Sequence, residues 1–203
     1  MSAYAALCAR TEAIVVGASA GGVQALSELL PAVPAGTKAS IFVVLHLPRD
    51  RPSLLVELFA GKCAVAVSEA QDKEPVAPGT VYFAPPNYHL LIDRGPRLAL
   101  SVDELVHHCR PSIDVLFESA AEVYRDRLLG VILTGANEDG AAGLAAVHDA
   151  GGVTVVQEPR TAQSSLMVLS ALERRSPDLV LPLPKIAELF GSLALGPAPL
   201  RTA

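Results

Sequence analysis

Residues 13–22 read Ala13-Ile14-Val15-Val16-Gly17-Ala18-Ser19-Ala20-Gly21-Gly22. The run over 13–17 has the apolar, β-branched character of a strand buried on both faces. It passes straight into a Gly-rich turn with one serine at its centre. The segment 17–21 fits the G-x-S-x-G spacing of a nucleophile elbow. In such a turn a strand breaks sharply into a helix, and Gly is needed where side chains find no room. The serine Oγ is lifted above the strand end, and N–H groups at the helix start point at whatever it attacks. A Gly-rich turn after a first strand also suits a phosphate, so the pattern alone leaves both readings open.

The rest of the chain continues the same grammar. Apolar strands are expected at 40–45, 64–67, 80–83, 130–133, 153–156 and 179–181. Helices are expected at 22–30, 53–60, 112–124, 140–150, 165–174 and 184–195. On the first helix Val23, Leu26, Leu29 and Leu30 form the apolar face, and Ser112 is the candidate N-cap of the helix at 112–124. Between them, 89–93 and 97–102 alternate around Arg94-Gly95-Pro96 as a β-hairpin. Apolar strands alternating with amphipathic helices predict an α/β fold: a doubly wound, mostly parallel sheet with helices on both faces and an inserted antiparallel hairpin.

With 203 residues, 51% of them hydrophobic and 18% charged, the chain is sized for one domain with a large core. That domain is expected over 1–203, with its core at about 13–195 and terminal extensions at 1–12 and 196–203. A net charge of −5 argues against a general nucleic-acid binder. Cys8, Cys63 and Cys109 are odd in number and lack C-x-x-C spacing, as in reduced thiols of a cytoplasmic protein. No leader and no run of ~18 apolar residues is present, so no membrane insertion is expected.

In a parallel sheet the carboxyl ends of all strands share one edge. Ser19, His46 and Asp139 each lie just past such an end. Serine, histidine and carboxylate on one edge make up a hydrolytic triad. Each also has a plainer reading: Ser19 as a helix N-cap, His46 as a half-buried core histidine, Asp139 as the cap of the helix that follows it. A dehydrogenase-type nucleotide site would put Asp or Glu where His46 stands. The chain order Ser, His, Asp also differs from the Ser, Asp, His order of α/β-hydrolases.

Five motifs taken together make the chain resemble a known family. They are GASAGG (17–22), LHLP (45–48), VYFAPPNYHL (81–90), RPSIDVLFESAA (110–121) and LTGANEDGAAGL (133–144). The resemblance is to the catalytic domain of chemotaxis protein-glutamate methylesterases, and it runs over about 13–193. It implies a serine esterase that hydrolyses glutamyl methyl esters on the cytoplasmic helices of chemoreceptors to glutamate and methanol, with deamidation of receptor glutamines as a possible second activity. It implies Ser19 as nucleophile, His46 as general base and acid, Asp139 as orienting carboxylate, and the backbone N–H groups of Ala20 and Ala136 as oxyanion donors. No metal or organic cofactor is implied. The alternatives are a non-catalytic scaffold of the same fold and a nucleotide-binding oxidoreductase.

The resemblance also carries departures. Many members begin with a phosphorylatable receiver domain, for which residues 1–12 leave no room. The expectation is therefore constitutive activity without stimulation by acetyl phosphate, with control by localisation, a separate response regulator or another partner. Ala20 and Ala136-Asn137 stand where the family often has Ser or Thr and Met-Gly, and 161–172 lacks the common Met-Pro. His89, His107 and His108 receive no assigned role. Arg49, Arg51 and Arg110 fit either an acidic receptor helix or solvated surface. For His107-His108-Cys109 a shared metal ion is disfavoured, because adjacent residues rarely face one ion.

Overall fold

The computed structural model describes residues 4–48 and 52–193. Arg49 and Arg51, and the tail over 196–203, lie outside the described residues. Seven parallel strands form the main sheet in the order β3-β4-β2-β1-β7-β8-β9. They are β1 (Ala13–Ala18), β2 (Ser40–Leu45), β3 (Ala66–Glu69), β4 (Thr80–Phe83), β7 (Leu128–Ile132), β8 (Val153–Gln157) and β9 (Leu179–Leu181). The helices are α1 (Ala5–Arg10), α2 (Gly22–Leu29), α3 (Leu55–Ala60), α4 (Ile113–Tyr124), α5 (Ala141–Asp149), α6 (Leu166–Arg174) and α7 (Leu183–Gly191). The α/β, doubly wound architecture is the one read from the sequence.

All six residues of β1 and all six of β2 are buried, which is why their sequences are unbroken apolar runs. One core layer packs Leu26 and Leu29 of α2, Phe59 of α3 and Ile186 and Phe190 of α7 against Ile14, Val16, Ile41 and Val43. The other packs Leu116 and Phe117 of α4, Leu144 of α5 and Val168 of α6 against Val15, Phe42 and Ile132. Each such side chain removed from water contributes roughly 1.5–3 kcal/mol.

Some expectations shift. Val23 is 41% exposed, and the buried face of α2 is built instead from Gly22, Ala25, Leu26 and Leu29. Residues 30–32 tighten into a 3₁₀ turn rather than prolonging α2. The edge strand β3 begins two residues later than expected, because its place is set by pairing Ala66 with Thr80 of β4. Residues 5–10, read as part of a terminal extension, form α1, and Cys8 is buried there. The hairpin, β5 (His89–Asp93) with β6 (Arg97–Ser101), forms a sheet of its own. Leu90, Ile92 and Leu98 bury it in the α4 layer, and Ser119 Oγ of α4 accepts the Ile92 N–H at 3.1 Å.

The order of strands places a switch point at β1. The chain leaves β1 to build β2 and β4 on one side and returns later to place β7 on the other. Clefts outside the carboxyl ends at such a point are the usual ligand sites of open α/β sheets. Gly17 closes β1 for a tertiary reason: a Cβ there would lie 2.4 Å from Ile113 Cγ2 of α4. Gly17→Ala should therefore destabilise the fold by about 1–3 kcal/mol through overpacking. Urea unfolding of Gly17→Ala, Ile113→Ala and the double variant tests this. The double variant should lose less than the sum of the singles, and strict additivity would refute the contact as the cause.

Candidate active site

Three neighbouring strands deliver the three predicted residues. Ala18 and Leu45 are register partners at the ends of β1 and β2, so Ser19 and His46 leave the sheet side by side. The His46 N–H donates to Ala18 O at 3.1 Å, and the Ser19 N–H donates to Thr134 O at 3.0 Å beyond β7. The loop after β7 then carries Asn137 and Asp139 back over the same edge. His46 Nε2 and Asp139 Oδ2 are 2.9 Å apart. His46 and Asp139 are thus in direct contact. Ser19 shares their edge, but its Oγ makes no hydrogen bond among the described residues. The oxyanion candidates Ala20 and Ala136 are exposed, and neither backbone N–H donates to another described residue.

Asp139 is fully buried. Besides His46, its carboxylate accepts from Ser112 Oγ at 2.8 Å, the Ile113 N–H at 2.7 Å and the Asp114 N–H at 3.1 Å. Ser112 occupies the N-cap position of α4, but its hydroxyl makes no cap bond there and turns to Asp139 instead. Asp139 therefore caps α4, a helix distant in sequence, and not α5, which follows it. The α5 amides are taken by Asp114, whose Oδ1 accepts the Gly140 N–H at 2.9 Å and the Gly143 N–H at 2.6 Å. Each carboxylate thus caps the helix of the other, where the positive end of the helix dipole favours it.

This crossing explains the electrostatics. Burial alone would raise the Asp139 carboxyl, but the hydrogen bonds from His46, Ile113, Asp114 and Ser112 outweigh it and hold it below the usual range. Burial also works against protonated His46, yet the bond to Asp139, followed by the nearness of Cys109, pushes that imidazole up to about 9. At Asp114 burial wins. Its carboxyl is raised despite the Gly143 N–H, and the charge of Asp139 adds to the rise.

With Nε2 committed to Asp139, Nδ1 is the ring nitrogen left for chemistry. It faces Asn137 Nδ2 at 3.4 Å and Cys109 Sγ at 3.7 Å. These two neighbours were not singled out as site residues from the sequence. Asp114 was missed as well; its signal was a carboxylate in the first turn of a helix, inside the RPSID motif. His107 reaches Asp114 Oδ2 at 3.3 Å and Glu138 Oε1 at 3.1 Å, whereas Cys109 turns to His46. His107 and Cys109 thus have different side-chain partners.

His89 is 2% exposed and works as a brace. Its Nδ1 accepts the Ser112 N–H at 3.1 Å, and its Nε2 donates to Glu104 O at 3.0 Å. Arg110 is likewise held in place, donating to Asn87 Oδ1 and to the carbonyls of Val102 and Asp103. It ties the segments that flank the hairpin to the loop before α4.

The cross-capping yields a prediction. Asp114→Ala strips two buried N–H groups of α5 of their acceptor and removes a cap. It should cost about 2–4 kcal/mol. Urea unfolding reads this directly, and a loss under ~0.5 kcal/mol, the usual range of a neutral surface change, would refute the role.

A family profile described as CheB methylesterase matches residues 14–190. A protein from Leptospira interrogans serogroup Icterohaemorrhagiae serovar copenhageni, provisionally named protein-glutamate methylesterase/protein-glutamine glutaminase, is 49% identical over 88% of this chain and 93% of its own length. The similarly named protein 5 of Anaeromyxobacter dehalogenans is 43% identical over 85% of this chain, but over only 48% of its own length. The crystal structure of the Thermotoga maritima CheB methylesterase catalytic domain superposes with a TM-score of 0.86 at 33% identity, covering 90% of this chain and 98% of that one.

Proposed function

We propose, for a chain that belongs to the CheB methylesterase family, a serine-hydrolase mechanism run by the residues at its switch point. The reaction is hydrolysis of glutamate methyl esters on chemoreceptor helices, giving glutamate and methanol. Deamidation of receptor glutamines by the same site is the second activity carried in the relatives' names. The observation that supports the reading most is the pair His46 Nε2 and Asp139 Oδ2, 2.9 Å apart, set beside Ser19 on one sheet edge.

Ser19 Oγ attacks the γ-carbonyl carbon as His46 Nδ1 takes its proton. Asp139 fixes the proton on Nε2 and stabilises the imidazolium that forms. The Ala20 and Ala136 N–H groups receive the negative charge that develops on the carbonyl oxygen. His46 then protonates the leaving methoxide, and methanol departs from the acyl-enzyme. Water, deprotonated by His46, hydrolyses that ester and restores Ser19.

The substrate is a partner protein, so the cleft must stay open to a helix surface. Among the described residues no helix is long and apolar enough to cross a membrane. We place the enzyme at the cytoplasmic, methylated helices of chemoreceptors. Methanol release from methylated receptor helices of the same cell tests the reading, together with a phosphonate probe. Release of methanol and covalent labelling at Ser19 are expected. Saturable nicotinamide binding without either would favour an oxidoreductase.

A further inference from the structure

The polar heads around His46 Nδ1 form a triangle of which the esterase mechanism uses only the imidazole nitrogen. Its corners are His46 Nδ1, Cys109 Sγ and the Asn137 side-chain amide. Its edges are 3.7 Å from nitrogen to sulfur, 3.4 Å from the amide to nitrogen and 3.2 Å from the amide to sulfur. A tetrahedral zinc ion bonded to nitrogen and sulfur at its ordinary bond lengths holds those two atoms about 3.6 Å apart. The observed edge matches that bite. Asn137 Oδ1 is buried and has no hydrogen-bond partner. Half a turn of the amide exchanges it with Nδ2 and presents an oxygen donor at the third corner.

The surroundings hold the donors ready. His107 and His108 both have positive φ, 48° and 61°, and the backbone of Val106 and Cys109 pairs across them as in a type I′ turn. That turn presents the thiol to the imidazole. His46, Cys109 and Asp139 have ligand atoms within 4.8 Å of one another. Asp139, however, already accepts four hydrogen bonds, one of them from His46 Nε2. Its place is behind the histidine, where a carboxylate orients a metal-binding imidazole and fixes the tautomer.

We propose that His46, Cys109 and Asn137 form an inhibitory site for a borderline-soft divalent cation of the zinc class. The cation binds His46 Nδ1, the Cys109 sulfur and the Asn137 amide oxygen, with the thiol proton released to solvent. Binding occupies the lone pair that would take the Ser19 proton, so esterase activity stops until the cation is removed. The inhibition rests on the esterase reading; the binding does not.

Two readouts on the purified chain separate these claims. Co²⁺ replaces Zn²⁺ as a coloured probe. The wild type should develop a thiolate-to-cobalt charge-transfer band, Cys109→Ala should lose it, and Asn137→Ala should weaken it. Zn²⁺ should inhibit methanol release reversibly, with activity restored by a chelator. Read against its own metal-free rate, Cys109→Ala should need at least about tenfold more Zn²⁺ for half-inhibition. No band in the wild type, or an equal band in Cys109→Ala, overturns the site. Inhibition unchanged in Cys109→Ala overturns its inhibitory role. A band in a protein that releases no methanol even without metal would count against the esterase reading and leave the cation site supported.

Discussion

Ser19→Ala abolishes ester hydrolysis while the protein stays folded; that is the largest single effect expected of any substitution here. The hydroxyl makes no hydrogen bond among the described residues, so removing it leaves no buried partner unsatisfied. The bonds that shape the turn come from the backbone: Ser19 N–H to Thr134 O at 3.0 Å and Gly22 N–H to Ser19 O at 2.8 Å. Alanine keeps both. Chemistry loses its nucleophile, and the rate of methanol release should fall by about 10⁴-fold or more. Urea unfolding should be within ~0.5 kcal/mol of wild type. Activity within about tenfold of wild type would remove Ser19 from the mechanism.

Asp139→Asn should combine two losses. A carboxylate can accept from all four donors that surround it, whereas an amide has one accepting oxygen and turns an NH₂ toward the rest. At least one buried donor loses its acceptor, at a cost of about 1–3 kcal/mol. The amide also holds the imidazole in the wrong tautomer, and kcat should fall by about 10³–10⁴-fold. An Asp139→Asn enzyme with full activity would leave Asp139 only its helix cap.

The pH profile distinguishes catalysis from mere destabilisation. Only neutral His46 accepts a proton, so wild-type activity should climb as pH rises through about 9. Without the aspartate, the residual activity should climb at lower pH, nearer the ordinary histidine value of about 6.5. Stability runs the other way. His46 is raised in the folded state, so its contribution is fully present below ~6.5 and is lost as pH rises through about 9. The wild type should therefore gain activity over the same interval in which it loses this part of its stability. An unshifted activity profile in Asp139→Asn would detach the aspartate from the histidine.

The architecture was legible because its signals are local. The apolar runs of β1 and β2 give buried strands, and the apolar strand–helix alternation gives a parallel sheet. Strand ends on one edge then bring Ser19, His46 and Asp139 together before any contact is known. What stayed hidden depends on residues far apart in the chain. His46 and Asp139 are separated by 93 positions, and His46 and Cys109 by 63. Gly17 is small because Ile113 lies against it, which the turn motif alone does not say. The plainer reading of Asp139, as cap of the helix that follows it, fails because Asp139 caps α4, while Asp114 crosses over to α5. Periodicity and turn chemistry act over a few residues and fix which segment becomes strand or helix. Which ring nitrogen of His46 is left free, and whose carboxylate meets whose amides, follows only when β1, β7, α4 and α5 are packed. Those choices are set by the desolvation of buried charges and by the need of every buried N–H for an acceptor, which no stretch of sequence satisfies by itself.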